Sequence, residues 1–464
     1  AGLGSQLACL TAAKAMKDHV QSDGQVRDTT QEVEELLGFS AVLMRWMGLW
    51  QPPGGAPAGP KLLIALSFDA MFFVIVAGGF ASVVLDPPPM DSVLEVVLTL
   101  ASSVTWGVRN VAILVRQNRL QNLILDVLDM KKRFAENGTE FRKAFQRRAK
   151  IRTALLVGIP MLGIPMWLVE PAFSKTIVAT SENTTVVVRK TPLVMWMPMD
   201  TQTHPNYEIT YAFQMLLISI VVDANVIIDI FFSCLLITVT ADIAVLNNNV
   251  ANMRLCKDDG FTKESGKEVN LSATWETTYK SKKSLEEKDQ LYDGNTDVYA
   301  SHTTDPSTQL YRTLVKNIQH HQVLMSIVND LESIMSESSV LMLVVNSINI
   351  CTQGIGFVDG FRPGSNKTTL MKRFLTFPAY VNQTAHFCWY GQDIIDQSER
   401  LLESAFNCDW ANADSRFCST LRIFMLQTSR PLKMQIGKIF TLSRNMFLQI
   451  LNTSYTIFNM FINF

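Results

Sequence analysis

The chain has 464 residues, with 41 Lys and Arg against 42 Asp and Glu and a formal net charge of -1. That balance argues against a nucleic-acid binder, which carries a strong basic excess. The charged share, 18%, lies well under the roughly 25% of a typical globular domain, and it is distributed very unevenly.

Residues 1–60 read as a cytosolic N-terminal segment. The first 30 residues mix Lys14, Lys17, Asp18, Asp23 and Asp28 without the apolar core of a signal peptide, so the first span is expected to act as the insertion signal. Within this segment TTQEVEELLGFSAVLMRWMGLW reads as an amphipathic helix that starts near Thr29 and stops at Pro52-Pro53-Gly54-Gly55.

Residues 61–256 hold four candidate membrane spans, each apolar over about the 20 residues a bilayer requires. They are Leu62–Leu85 with only Asp69, Ser92–Val115 with only Glu95 and Arg109, Thr153–Val169 without charge, and Ile209–Ala241 with Asp223 and Asp229. The two span-four aspartates are costly in lipid and are expected to face protein or water. Arg109 falls near the cytosolic half of its span, from which a long side chain can snorkel; for these three intramembrane charges structural pairing is the first expectation and a functional path or ligand role the second. In the third span, Gly158, Pro160, Gly163 and Pro165 bend a helix and free backbone groups. They leave room beside Trp167 for a small apolar molecule in the outer half of the membrane.

Residues 257–308 are rich in Lys, Asp, Ser and Thr and read as a flexible cytosolic insertion. Residues 309–398 resume helical periodicity, with Leu314, Ile318, Val323, Ile327 and Leu331 on one face. That helix is expected to run from the cytosol into a fifth span, Ser338–Val358, followed by a sixth, Phe374–Gln392, both free of Asp, Glu, Lys and Arg. His320 and His321 are adjacent, point in different directions on a helix and cannot chelate together, so packing rather than metal binding is expected. There is no Walker A sequence, no CxxC and no HExxH. Nothing assembles a nucleophile, base and oxyanion site, so neither an enzyme nor a cofactor is expected.

Residues 399–443 read as a charged, amphipathic cytosolic anchor region, and residues 444–464 as a seventh span. In this last helix Asn445, Gln449, Asn452, Thr456, Asn459 and Asn463 recur at alternating steps of four and three, a single seam along one face. Such a stripe either glues the helix to neighbours within one subunit or lines a water-filled path. The second use requires several copies around an axis. No acidic ring accompanies the seam, so a channel through it would be weakly selective among cations.

Topology follows from the positive charges. Arg116–Arg152 contains 11 basic and four acidic residues and is placed in the cytoplasm. Asp86–Asp91 has no basic residue and suits the outside, while seven basic residues between Arg400 and Arg444 place that segment inside. The solution is an all-α polytopic membrane protein with seven spans, a cytoplasmic N-terminus and an extracellular C-terminus; Phe357–Arg373, with four basic residues, fits it least. Cys9, Cys256, Cys408 and Cys418 fall in cytosolic segments and Cys234, Cys351 and Cys388 in spans, so no disulfide framework is expected. Of six glycosylation sequons, only Asn183 and Asn366 fall outside; Asn137, Asn270, Asn382 and Asn452 read as chance matches. A G-protein-coupled receptor would need its N-terminus outside, against the basic loop. A secondary transporter would show internal repeats or paired broken helices, and none is visible.

Several segments resemble the insect odorant receptor family. They are GFSAVLMRWMGLW (38–50), PLVMWMPMDTQTHPNYEITYAFQMLL (192–217), LVKNIQHHQVLMSIVNDLESI (314–334), FCWYGQDIIDQSERLLESAFNCDW (387–410), RPLKM (430–434) and FTLSRNMFLQILNTSYTIF (440–458). They are spread over most of the chain in the family's order. The 257–308 insertion is longer than in many members and resembles the co-receptor subtype, whereas the C-terminal segment looks more like a ligand-tuned receptor. The resemblance implies an odorant-gated, non-selective channel for monovalent and divalent cations in the plasma membrane of a sensory neuron. It implies a homotetramer, or a heterotetramer with a co-receptor, that needs no G protein; a gustatory receptor of the same superfamily is the nearest alternative. It places Thr456, Asn459, Met460 and Asn463 at the pore and its gate. A small apolar odorant would sit among Val97, Leu100 and Ala101, Pro160, Gly163 and Trp167, Met215, Ile218 and Val222, and Phe377, Tyr380 and Thr384. Recognition by burial, at about 25 cal/mol per Å², implies loose shape selection.

Overall fold

The structure, a computed structural model, describes residues 29–51, 58–85, 87, 90–134, 139–173, 175–179, 185–254, 306–361 and 367–463. The 257–305 part of the polar insertion, the Pro52–Gly55 stop, Cys9, Cys256 and the sequons at Asn137, Asn183, Asn270 and Asn366 lie outside these residues.

The N-terminal amphipathic segment forms two helices rather than one, α1 over 29–37 and α2 over Phe39–Trp46. Gly38 separates them at φ 65, its N–H bonded to the Glu34 carbonyl at 2.8 Å. A left-handed residue closing a helix in this way is nearly always glycine, which has no Cβ to clash. Next come α3 (Ala58–Leu85), α4 (Met90–Val115), α5 (Gln117–Arg133) and α6 (Thr139–Phe173). The basic segment expected as a cytosolic loop is thus mostly helical. Lys131, Lys132 and Arg133 fill the last turn of α5, where they complement its exposed carbonyls.

α6 carries Pro160, Pro165 and Pro171 inside the helix, each removing one backbone hydrogen bond. A short antiparallel hairpin follows, β1 (Lys175–Ala179) with β2 (Thr185–Arg189). Then come α7 (Asn206–Ala251), the 55-residue α8 (Pro306–Gly360), α9 (Lys367–Phe406) and α10 (Ser415–Thr428). A second hairpin, β3 (Gln435–Ile436) with β4 (Phe440–Thr441), precedes the final helix α11 (Arg444–Asn463). Both short hairpins sit in connections between helices, and the fold is otherwise helical, as expected.

Among the described residues, five helices are long and apolar enough to cross a membrane: Leu62–Leu85, Ser92–Val115, Ile151–Phe173, Asn206–Ala251 and Pro306–Val358. The expected sixth and seventh spans lie on α9 and α11, helical over 40 and 20 residues. Their polar residues keep them out of that apolar set. As expected, the helix of 309–337 runs without interruption into the fifth apolar stretch.

Packing is uneven along the bundle. The large core joins α1 and α2 to α5 and to the C-terminal halves of α7 and α9, the first half of α8, α10 and the second hairpin. It includes Leu37, Met44, Trp50, Leu123, Phe231, Leu235, Leu314, Leu331, Phe387 and Phe417. At the opposite end, among the described residues, buried Ile75, Leu193, Leu217 and Ile218 form a small separate cluster. One end of the bundle is therefore close-packed and the other hollow.

His320 and His321 are both buried in the packed end. His320 stacks on Phe134 at 4.2 Å and His321 meets Phe424 edge-on at 5.6 Å, so the adjacent rings diverge onto different helices. Among the described residues no three His, Cys, Asp or Glu side chains converge as metal ligands.

Candidate ligand cavity

The hollow end holds a cavity of about 190 Å³ walled by α4, α6, α7, α8 and α9. This exceeds the roughly 150 Å³ void that takes up one benzene ring in an engineered protein core. Pro160, Gly163 and Trp167 form the α6 wall with Leu156 and Ile164. Gly163 lets α6 approach α9 closely, since a Cβ there would lie 3.2 Å from Thr376 Cγ2.

Ile75 and Leu193 line the cavity at the end near the first hairpin, and Ile218 and Val222 line its α7 side. The loop carrying Leu193 is fastened by its own N–H, which donates to Gln214 Oε1 at 2.8 Å, and by Trp196 N–H to the Gly78 carbonyl at 2.8 Å. Beside it Lys372 is buried, 2.9 Å from Glu95 and 3.4 Å from Glu170, with its ammonium 4.2 Å from the Trp167 ring centroid. This cluster ties the starts of α4 and α9 to the end of α6 and fixes the Trp167 ring.

The other end is polar. Arg109 reaches across from α4 to Asp229 on α7 at 2.5 Å, and its second nitrogen donates to Asn225 Oδ1 at 3.1 Å. Gln383 donates to the other Asp229 oxygen at 2.5 Å, and Asn346 donates to Gln383 Oε1 at 3.1 Å and to Thr384 Oγ1 at 3.2 Å. Asn225, Asp229, Asn346 and Gln383 all line the cavity. Arg109 therefore pairs across the bundle rather than snorkelling. Asp229 faces protein, as its cost in lipid requires, whereas Asp223 is exposed on the outside of α7. Ser102, Ser103 and Thr99 add hydroxyls from α4, and Asn349 donates to Ser102 Oγ at 3.1 Å.

Of the residues expected at the ligand, Pro160, Gly163, Trp167, Ile218, Val222 and Tyr380 line this cavity. Val97, Leu100, Ala101, Met215, Phe377 and Thr384 do not. On α4 the lining face is Leu98, Thr99, Ser102, Ser103 and Thr105, rotated from the expected one. Val97 points outward, Leu100 packs over Gly79, and the Ala101 carbonyl accepts from Thr105. Met215 lies one turn beyond Ile218. Phe377 turns toward α8, edge-on to Phe357 at 5.7 Å, and Thr384 is buried one turn past Tyr380 against Asn346. The hydroxyl and amide lining escaped an expectation built on apolar burial. Its signal was present as Asn225 and Asp229 four apart and as Thr99, Ser102 and Ser103 on one side of an apolar helix.

On the last helix Asn445, Gln449, Asn452, Thr456 and Met460 are exposed and Asn459 is partly so; the side chain of Asn463 lies outside the described residues. The opposite face packs on α8, where Ser454 donates to the Ser347 carbonyl at 3.1 Å and lies 3.0 Å from the Ser347 hydroxyl. Phe458 lies against Gly354.

The profile of the 7tm Odorant receptor family matches residues 90–455. Odorant receptor 85c of Drosophila melanogaster is 29% identical over 147 residues, 32% of this chain and 37% of that relative. The Drosophila odorant receptor coreceptor is 28% identical over 76 residues, 16% of each chain. The chain thus aligns with little more than a third of the length of the curated relatives it matches. Over the whole molecule, the fold is that of the insect olfactory receptor OR5 from Machilis hrabei, solved in complex with eugenol, at a TM-score of 0.64 and 13% identity over 95% of this chain and 98% of that one. With a family profile spanning most of its length and a matching fold, the chain belongs to the 7tm odorant receptor family.

Proposed function

We propose that this protein is an odorant-gated, weakly selective cation channel of seven spans, with a cytoplasmic N-terminus and an extracellular C-terminus. Four subunits, identical or shared with a co-receptor, surround a pore lined by α11, in the plasma membrane of a sensory neuron. Residues 1–60, the 257–308 insertion and the 399–443 anchor region face the cytoplasm. A small, largely apolar volatile molecule occupies the cavity between α4, α6, α7, α8 and α9.

The observation that carries this reading is the double role of α8. Asn346 lines the cavity while its neighbour Ser347 meets Ser454 on the last helix. A ligand that favours one placement of α8 thereby favours one placement of α11, and binding shifts the closed–open equilibrium. The polar seam of α11 supports the pore role over glue within one subunit. Asn445, Gln449, Asn452 and Thr456 are exposed in the single chain, where helix-to-helix glue would be buried. In this reading Thr456, Asn459 and Asn463 face the axis or its flank and Met460 closes it.

The test is expression in an otherwise silent cell, alone and with a co-receptor, with current recorded during application of a panel of volatiles. Odorant-evoked current in either condition supports the reading, and its absence in both rejects it. Met460→Ala should change basal current or conductance at least twofold; unchanged currents would remove Met460 from the gate. Accessibility tags at the two termini of intact cells test the topology, and an external N-terminus is incompatible with it.

A further inference from the structure

The polar end of the cavity has a fixed hydrogen-bond polarity, because one member of its network can only donate. Arg109 has no acceptor, so the Asn225 atom 3.1 Å from it must be the amide oxygen, and Asn225 Nδ2 is turned elsewhere. The Asp229 carboxylate accepts from Arg109 on one oxygen, so on the other it accepts from the Gln383 amide nitrogen. Gln383 Oε1 is then an acceptor, and Asn346 must serve it with Nδ2. Amide orientations are normally a matter of assignment; here the guanidinium dictates each one.

Two groups are left over. Asn225 Nδ2, a donor, and Asn346 Oδ1, an acceptor, make no hydrogen bond among the described residues, and both residues line the cavity. Asn346 is only 4% exposed, so its side chain is closed to bulk solvent. These atoms sit at opposite ends of one short chain of bonds, Asn225 through Arg109, Asp229 and Gln383 to Asn346. The wall at the other end, with Ile75, Leu193 and Ile218, is apolar. Ile218 and Asp229 are eleven residues apart on one helix, about 16 Å at 1.5 Å per residue.

We propose that the cavity reads an amphiphile lengthwise: an apolar body at the Leu193 end, and at the Asp229 end a hydroxyl that donates to Asn346 Oδ1 and accepts from Asn225 Nδ2. This rests on the odorant-receptor reading and narrows its ligand to alcohols and phenols over ethers and hydrocarbons of similar size. A hydroxyl satisfies both leftover groups at once, an ether only the donor, and a hydrocarbon neither.

The test uses the purified full chain in lipid nanodiscs and measures binding, independent of conduction, by ligand-induced thermal stabilisation. The probes are 2-phenylethanol, its methyl ether and propylbenzene. The alcohol should bind roughly tenfold or more tighter than propylbenzene, as one or two buried hydrogen bonds allow, with the ether between. Asn225→Asp keeps an acceptor for Arg109 but removes the free donor, and should lower ether binding to the propylbenzene level while the alcohol still binds through Asn346. Asn346→Leu should remove most of the alcohol's advantage. Equal binding of the three probes to the wild-type chain overturns the head-group inference and leaves the odorant reading standing. A preference that survives in both variants overturns the assignment to these two residues. Failure of all three probes to bind overturns the head-group inference, and the odorant reading is then decided by the current recordings alone.

Discussion

Arg109 and Asp229 are 120 residues apart in the chain and meet inside the bundle at 2.5 Å, both nearly inaccessible to solvent. Asp229 also holds Gln383, and Arg109 holds Asn225, so this pair fixes α4, α7 and α9 against each other at the base of the cavity. Removing one partner of a buried ion pair leaves the other charge uncompensated, at a cost of about 3–5 kcal/mol. That is a large share of the ~5–15 kcal/mol that holds a typical protein folded. Asp229→Leu should therefore sharply reduce the yield of monodisperse protein and its melting temperature. The double variant Arg109→Met, Asp229→Leu should recover much of the loss, because no lone charge remains. A single variant as stable as the wild type would show that the pair is not a structural clamp.

Gly163 offers a steric test of the cavity. A Cβ at this position would approach Thr376 Cγ2 to 3.2 Å, so Gly163→Val projects two further methyl groups into a confined space. Overpacking of this kind costs about 1–3 kcal/mol. Binding of 2-phenylethanol should weaken about tenfold or more, with surface expression reduced less than that. Undiminished affinity would move the ligand away from the α6 wall.

His320 addresses the packed end of the bundle. Its ring stacks on Phe134 at 4.2 Å and its Nε2 is buried with no hydrogen-bond partner among the described residues. A phenyl ring keeps the stacking and removes the unsatisfied nitrogen, whose burial costs about 1–3 kcal/mol. His320→Phe should leave the melting temperature unchanged or raise it, and chelators should have no effect on the wild-type protein. Destabilisation by the phenylalanine would reveal a polar contact that the stacking geometry does not explain.

What could be read in the sequence follows the physics of each signal. A long stretch that is predominantly apolar is itself the signal, so the five apolar helices were visible as composition alone. The run from Leu314 into Ser338–Val358 was visible because its periodicity never breaks. Pro160, Gly163 and Trp167 were accessible because proline and glycine act locally on the helix that carries them. The α4 lining was missed because Val97, Leu98, Leu100 and Ala101 are all apolar, and an expectation built on apolar burial passes over the face marked by Thr99, Ser102 and Ser103. The Arg109–Asp229 pairing needs two helices brought together over 120 positions. Each charge alone reads as a cost without a partner, and only tertiary packing selects pairing over snorkelling. It leaves Asp223 without such a partner among the described residues, on the exposed face of the same helix.

Ser454 tests whether α8 transmits ligand occupancy to α11. Its hydroxyl donates to the Ser347 carbonyl at 3.1 Å and lies 3.0 Å from the Ser347 hydroxyl. The residue before Ser347 lines the cavity. Ser454→Ala removes the donor and leaves the cavity walls untouched. A neutral hydrogen bond contributes about 0.5–1.5 kcal/mol, so the concentration of 2-phenylethanol giving half-maximal current should shift about two- to tenfold. Dissociation constants measured on the isolated chain should stay within twofold. Ser347→Ala should shift the current in the same direction, and the double variant should shift it no further than the larger single effect, because both act on one contact. A current response identical to the wild type in all three variants would show that occupancy of the cavity reaches the last helix by another route, for which the Phe458–Gly354 contact is the next one to alter.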